Sequence, residues 1–210
     1  MAVWRFIIDR RGASGAEFAM ILPLALLLLF GVIDVGVYAW NLNEYEKATQ
    51  MGARFAVVTD VISPGLRDQS YIGYTCSGAV APLAAGQTIC ADALGTVACT
   101  VAGCTCDTNA GNCPGGTLSP TDTVAIDRII ARMHQYEPSI DPAHVVVEYR
   151  GSGLGYAGDP NKPEIAPIVT VRIIDESYRP IVLSPFGGQV PLPDFSYSLT
   201  LEDGEGSASS

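Results

Sequence analysis

Hydrophobic positions are distributed unevenly along the chain. Residues 18–33, FAMILPLALLLLFGVI, contain no charge. At ~1.5 Å per helical residue this run covers about 24 Å, short of a ~30 Å hydrocarbon core. Counting on to Trp40 adds one charge, Asp34, and gives 23 residues. That length is roughly 34 Å, enough to span a bilayer with some tilt. Farther on, Leu42, Tyr45, Ala48 or Thr49, Gly52, Phe55 and Ala56 recur at spacings of three and four. The pattern predicts one continuous helix over about 16–58, apolar all round at first and amphipathic later. Pro23 lies inside it and removes one backbone N–H, which frees a carbonyl and kinks the helix.

The rest of the chain changes period. Ser119, Pro120, Thr121 and Asp122 form a helix-start signal, and Val124, Ile126 or Asp127, Ile129 or Ile130, and Met133 give a helical stripe to about Tyr136, stopped by Pro138. Three later segments alternate with period two: Val145, Val147 and Tyr149; Val169, Val171 and Ile173; Phe195, Tyr197, Leu199 and Leu201. They predict half-buried strands of an antiparallel sheet. Long helix, short helix and strands together make an α+β fold. Residues 183–188 and 191–193 are rich in Pro and Gly and mark a long connection. Residues 204–210 read as a disordered tail.

All six cysteines lie within 76–113: Cys76, Cys90, Cys99, Cys104, Cys106 and Cys113. The stretch is otherwise mostly Gly, Ala, Thr, Ser and Pro, so it reads as a loop insert that cannot bury much core alone. An even count outside the cytoplasm implies three disulfides, each contributing ~2–4 kcal/mol. Sequence does not choose among the fifteen pairings. Cys104 and Cys106 are too close to bond each other comfortably and are expected to reach distant partners. A zinc site from Cys99, Cys104, Cys106 and Cys113 is the competing reading; it lacks paired CxxC knuckles and would sit in an oxidising compartment. Asp107, Asn109 and Gly111 weakly resemble a calcium loop, but Leu118 stands where the closing acid belongs, so a turn is expected.

Charge adds direction. Arg5, Arg10 and Arg11 precede the apolar run, and no basic residue follows it until Lys47. The positive-inside rule puts the N-terminus in the cytoplasm and the chain beyond Trp40 outside it. Trp4, Tyr38 and Trp40 occupy interfacial levels. Glu17 and Asp34 flank the run. Either both rest at the two interfaces, or Glu17 lies within the lipid boundary and needs a cationic partner. A cleaved secretory signal ending at Val37-Tyr38-Ala39 is a rival reading, opposed by the helical periodicity that runs straight on. Twelve basic against 22 acidic residues give a net charge of −10, which argues against a nucleic-acid partner.

Catalysis, metals and cofactors find little support. His134 falls on the short helix and His144 at a strand start, neither in a nucleophile or metal spacing. No serine sits in a G-x-S-x-G elbow. Residues 153–158, GLGYAG, match a dinucleotide pattern, but Asp159-Pro160 and Pro163 follow. No helix can then offer its N-terminus to a pyrophosphate, and a flexible hairpin loop is expected.

The N-terminal residues carry a family resemblance. Gly12 precedes Ala13, Glu17 is the fifth residue after it, and Arg10 and Arg11 stand just before. This resembles the prepilin peptidase site of type IV pilin-like proteins. Glu17-Phe18-Ala19 with Pro23, then Gly31-Val32-Ile33-Asp34-Val35-Gly36, then Gly52-Ala53-Arg54-Phe55-Ala56 resemble the TadE-like family of pseudopilins. These are minor components of the tight-adherence (Flp, type IVc) pilus machinery. Major Flp pilins typically have tyrosine after the glutamate and are very short, whereas this chain has Phe18 and some 150 residues beyond the helix.

The resemblance covers residues 12–56 and implies a leader at 1–12, a long helix at 13–59 with a transmembrane half at 13–40, an extracytoplasmic α+β domain at 60–203 holding the insert 76–113, and the tail 204–210. In that arrangement the sheet packs on the outer half of the helix. Cleavage after Gly12 would leave an amine on Ala13, about 6 Å from the level of Glu17. In a helical stack it would meet the Glu17 carboxylate of a neighbour. Glu17, Phe18, Pro23 and Asp34 are thus the expected assembly residues.

Gly31, Gly36 and Gly52 would be close-packing positions between membrane helices, and Arg54 a solvated residue. Expected partners are a prepilin peptidase, other pilin or pseudopilin subunits, the inner-membrane assembly platform and lipid; no cofactor, metal or catalytic residue is expected. The implied place is the bacterial inner membrane, and the outside of the cell once in a pilus. A permanently anchored binding or adhesin module outside any filament is the alternative.

Overall fold

The computed structural model describes residues 13–114, 118, 121–160 and 163–201. Apart from one-turn helical segments such as Pro64–Arg67, the elements in chain order are α1 (Ala13–Ala56), β1 (Thr96–Thr100), β2 (Gly103–Asp107), α2 (Thr123–Met133), β3 (Val145–Arg150), β4 (Ile168–Ile173), β5 (Ser177–Tyr178), β6 (Val190–Pro191) and β7 (Phe195–Thr200). Contacts divide the chain into two units. Among the described residues, one holds 13–41 with Ser177–Pro191; the other holds those of Leu42–Glu176 with 192–201.

In the larger unit, β2, β1, β3, β4 and β7 form, in that order, one antiparallel sheet. Register aligns the apolar rows: Val97 faces Tyr149 and Cys99 faces Val147, while Val145, Val147 and Tyr149 face Ile173, Val171 and Val169. All of these are buried. α2 begins at Asp122, whose Oδ1 accepts the N–H of Val124 and of Ala125, each at 3.1 Å, the expected use of a capping aspartate. Its stripe Ala125, Ile126, Ile129, Ile130 and Met133 is buried. The second part of α1 buries Tyr45, Ala48, Ala53 and Ala56, the face its periodicity predicts, and the Tyr45 ring stacks on Phe195 with centroids 5.5 Å apart. The long helix packed on an antiparallel sheet is thus the architecture observed.

Three expectations need correction. Gly52 packs within the chain, because a Cβ there would lie 2.8 Å from the Met133 Cγ and Sδ atoms and 3.4 Å from Val171 Cγ1; Gly31 and Gly36 face open space. The cysteine-rich insert is more than loop. It supplies β1 and β2, and Ile89, Leu94, Val97 and Cys99 enter the core. The 153–158 loop, GLGYAG, is also tied down: Gly155 bridges Ile165 and Tyr156 bridges Thr88, and Ala157 is buried. Gly155 (φ 116°) could not carry a side chain, since a Cβ would meet the Glu164 carbonyl oxygen. No helix follows among the described residues, as expected.

Two buried tyrosines behave oppositely. The Tyr149 hydroxyl accepts the Ile62 N–H at 3.2 Å, whereas the Tyr71 hydroxyl is buried with no partner among the described residues. Burial raises both phenol pKa values. Tyr149→Phe orphans a buried N–H and is expected to cost about 1–3 kcal/mol. Tyr71→Phe removes an unsatisfied group and should be neutral or slightly stabilising. Urea midpoints of the two variants against the parent check this; equal losses would contradict it.

The smaller unit consists of α1 up to Asn41 and a hairpin. α1 runs unbroken through Pro23. β5 and β6 pair Ser177 with Pro191 and Tyr178 with Val190, and a turn over Ser184–Phe186 closes on Gly187 in the left-handed region (φ 71°). This hairpin occupies the stretch that reads as a connection.

Candidate membrane and assembly helix

The sequence-expected site residues fall into three groups. Gly12, with the rest of the 1–12 leader, lies outside the described residues, as does the tail 204–210. Ala13 opens α1. Glu17 and Phe18 are exposed, Phe18 by 64%. Pro23 stands inside α1 and denies the Ala19 carbonyl its usual donor. Glu17 and Asp34 are separated by about 25 Å along the helix.

Along this part of the chain α1 is bare. Phe18, Met20, Ile21, Leu24, Leu27, Leu28, Leu29, Val32 and Val35 are all exposed. The helix is long and apolar enough to cross a membrane, and the chain itself covers almost none of its most apolar stretch. A core helix of a soluble protein would bury that surface. A helix apolar on every side wants lipid or other helices around it.

Asp34 is the exception. It is only 7% exposed, because the hairpin closes over it. Its Oδ1 accepts the Ile181 N–H at 2.7 Å and the Tyr178 hydroxyl at 3.3 Å, and its Oδ2 accepts the Val182 N–H at 2.9 Å. The Tyr38 and Tyr178 rings meet at 5.8 Å. A carboxylate on an apolar helix is costly unless donors surround it; here its own chain provides them. Sequence reasoning noticed the charge but missed the partner. Two of the three donors are backbone N–H groups, which leave no mark in the amino-acid pattern, and no cation in residues 180–193 hints at the match.

The cysteines form three disulfides: Cys76–Cys90, Cys99–Cys104 and Cys106–Cys113. Cys104 and Cys106 indeed avoid each other, but their partners are near in sequence, five and seven residues away. The expectation of distant partners is overturned by the β1–β2 hairpin, whose register puts Cys99 opposite Cys104. With these sulfurs paired, the zinc reading has no thiolates to use. Asp107 Oδ1 accepts the Asn109 N–H at 2.9 Å and caps the turn Thr108–Ala110, so the calcium-like stretch is a turn.

Asp92 holds the segment beside the first disulfide: its Oδ2 accepts the Ser77 N–H at 2.7 Å. Ser77, through its side chain and its N–H, keeps that carboxyl below the ordinary range. The histidines lie apart. His134 Nε2 is 2.9 Å from the Ile140 carbonyl oxygen, and His144 Nδ1 is 3.2 Å from Glu176 Oε1.

Residues 12–54 match the family model described as TadE-like protein, which covers nearly all of α1 and about a fifth of the chain. No curated protein matches the chain, and no solved structure does.

Proposed function

We propose that this chain, TadE-like over residues 12–54, is a minor pseudopilin of a tight-adherence pilus system. The observation that carries the reading is the uncovered apolar surface of α1, which lies inside the matched segment and starts beside Glu17. In this reading the helix crosses the bacterial inner membrane with the N-terminus in the cytoplasm, because Arg5, Arg10 and Arg11 precede the run. The three disulfides suit an oxidising compartment on the other side. A prepilin peptidase cuts after Gly12, and the sheet unit is carried in the periplasm, then outside the cell once in a pilus. The chemistry at Gly12 belongs to the peptidase, so the chain is a substrate and no catalyst.

The freed amine of Ala13 would pair with Glu17 of a neighbouring pilin or pseudopilin, compensating both charges in an apolar setting. Glu17→Ala therefore separates export from assembly. The variant should reach the membrane, keep its three disulfides and fail to co-purify with the other pilus subunits and the assembly platform. Unchanged co-purification would overturn the Ala13–Glu17 pairing, and a parent chain that co-purifies with no pilus component would point instead to a permanently anchored binding module that needs neither Gly12 nor Glu17.

A further inference from the structure

We infer that the 177–191 hairpin is a second membrane contact, dipping its tip into the outer boundary of the bilayer that α1 crosses. The inference rests on the anchoring reading above. About 20 residues are needed to span the hydrocarbon core. Starting from Phe18, such a span reaches Val37, which leaves Asp34 roughly 5 Å inside the outer boundary. The hairpin is bonded to that aspartate through Ile181 and Val182, so this arm lies at the same depth and carries the adjoining tip to the boundary.

The chemistry of the tip fits that place. Residues 180–193, PIVLSPFGGQVPLP, carry no charge, and Arg179 stands at their start, where a cation would reach headgroups. Its exposed large side chains are apolar, Ile181 at 53%, Leu183 at 41% and Phe186 at 86%, and the exposed polar side chains, Ser184 and Gln189, carry no charge. Irregular backbone at membrane depth is tolerated only when its polar groups are satisfied, and this backbone is largely self-satisfied. The N–H groups of Ile181 and Val182 go to Asp34. Those of Ser184, Phe186, Gly187 and Gly188 go to carbonyls of Pro180, Leu183, Ser184 and Leu183. Pro180 and Pro185 have no N–H to satisfy. The hairpin is continuous with the bare helix it clasps, so one lipid phase covers both surfaces, and Asp34 is shielded without a cation.

Tryptophan fluorescence in vesicles tests this on the full chain. With Trp4 and Trp40 changed to phenylalanine, single tryptophans are placed by Phe186→Trp, Leu183→Trp, Leu26→Trp in the helix, and Val124→Trp on α2. Each variant is reconstituted at low protein-to-lipid ratio in phosphatidylcholine–phosphatidylglycerol vesicles, with and without brominated acyl chains. The tip tryptophans should be quenched by brominated chains nearly as strongly as the one at 26, and several-fold less by aqueous iodide than the one at 124. Two tip positions guard against a single variant that folds badly. Quenching at 26 with iodide-accessible, bromine-insensitive tips overturns the hairpin proposal alone. Tips reached by neither quencher mean that a second copy or another protein covers them, and also overturn it. Absence of quenching at 26 defeats the anchoring reading and this inference with it.

Discussion

Asp34→Ala is expected to release the hairpin from α1 while leaving the sheet unit folded. Two backbone N–H groups and a tyrosine hydroxyl lose their acceptor at once. Hydrogen bonds to a charged group contribute about 1.5–3 kcal/mol each. Taking only the two backbone bonds at the low end gives about 3 kcal/mol, a factor of over ~100 in the local opening equilibrium. Amide hydrogen exchange at Ile181 and Val182 should therefore accelerate by about two orders of magnitude, since these bonds set the protection of a small local unit. Amides of β3 and β4 should exchange as before. Asp34→Asn keeps the volume and one acceptor and should fall between. Exchange at 181 and 182 that is indifferent to both substitutions would mean that Asp34 does not hold the hairpin.

Reduction of the three disulfides is the second large effect. The bridges close separations of 14, 5 and 7 residues. On the chain-entropy account each contributes about 2–3 kcal/mol, and together roughly 7 kcal/mol. That rivals the whole stability of an ordinary domain, about 5–15 kcal/mol. The edge pair β2–β1 is the vulnerable part, since only Val97, Ala98 and Cys99 join it to β3. Reductant should lower the urea midpoint of the full chain sharply and strip protection first from β1 and β2. Among single-bridge variants, Cys99→Ala with Cys104→Ala should be the most damaging, because both sulfurs are buried there. Equal urea midpoints with and without reductant would contradict the role given to the bridges.

These two sites differ in how far the amino-acid pattern disclosed them. The long helix was legible because its signal is strong at both ends, a charge-free run followed by a stripe at Tyr45, Ala48 and Ala56. β3, β4 and β7 were legible because β-branched and aromatic residues alternate there. β1 and β2 were not: their Thr and Val residues are outnumbered by Ala, Gly, Cys and Asp, and the pairing with β3 and its buried Tyr149 decides their state. The β5–β6 hairpin was hidden by Pro180, Pro185 and Pro191, which read as a connection. Gly52 looked like Gly31 and Gly36 because sequence cannot say which glycine meets Met133. The cysteines announced bridges, but their pairing waited on the register of the β1–β2 hairpin. At Asp34 a charge in an apolar helix demanded a partner, and only the fold could show that the partner was backbone.

The most direct test of the central claim is the intact mass and first residue of the chain recovered from its own cell envelope. A chain that begins at Ala13 is the predicted result. One that begins at Met1 would contradict processing after Gly12, and one that begins at Trp40 would remove the membrane helix altogether.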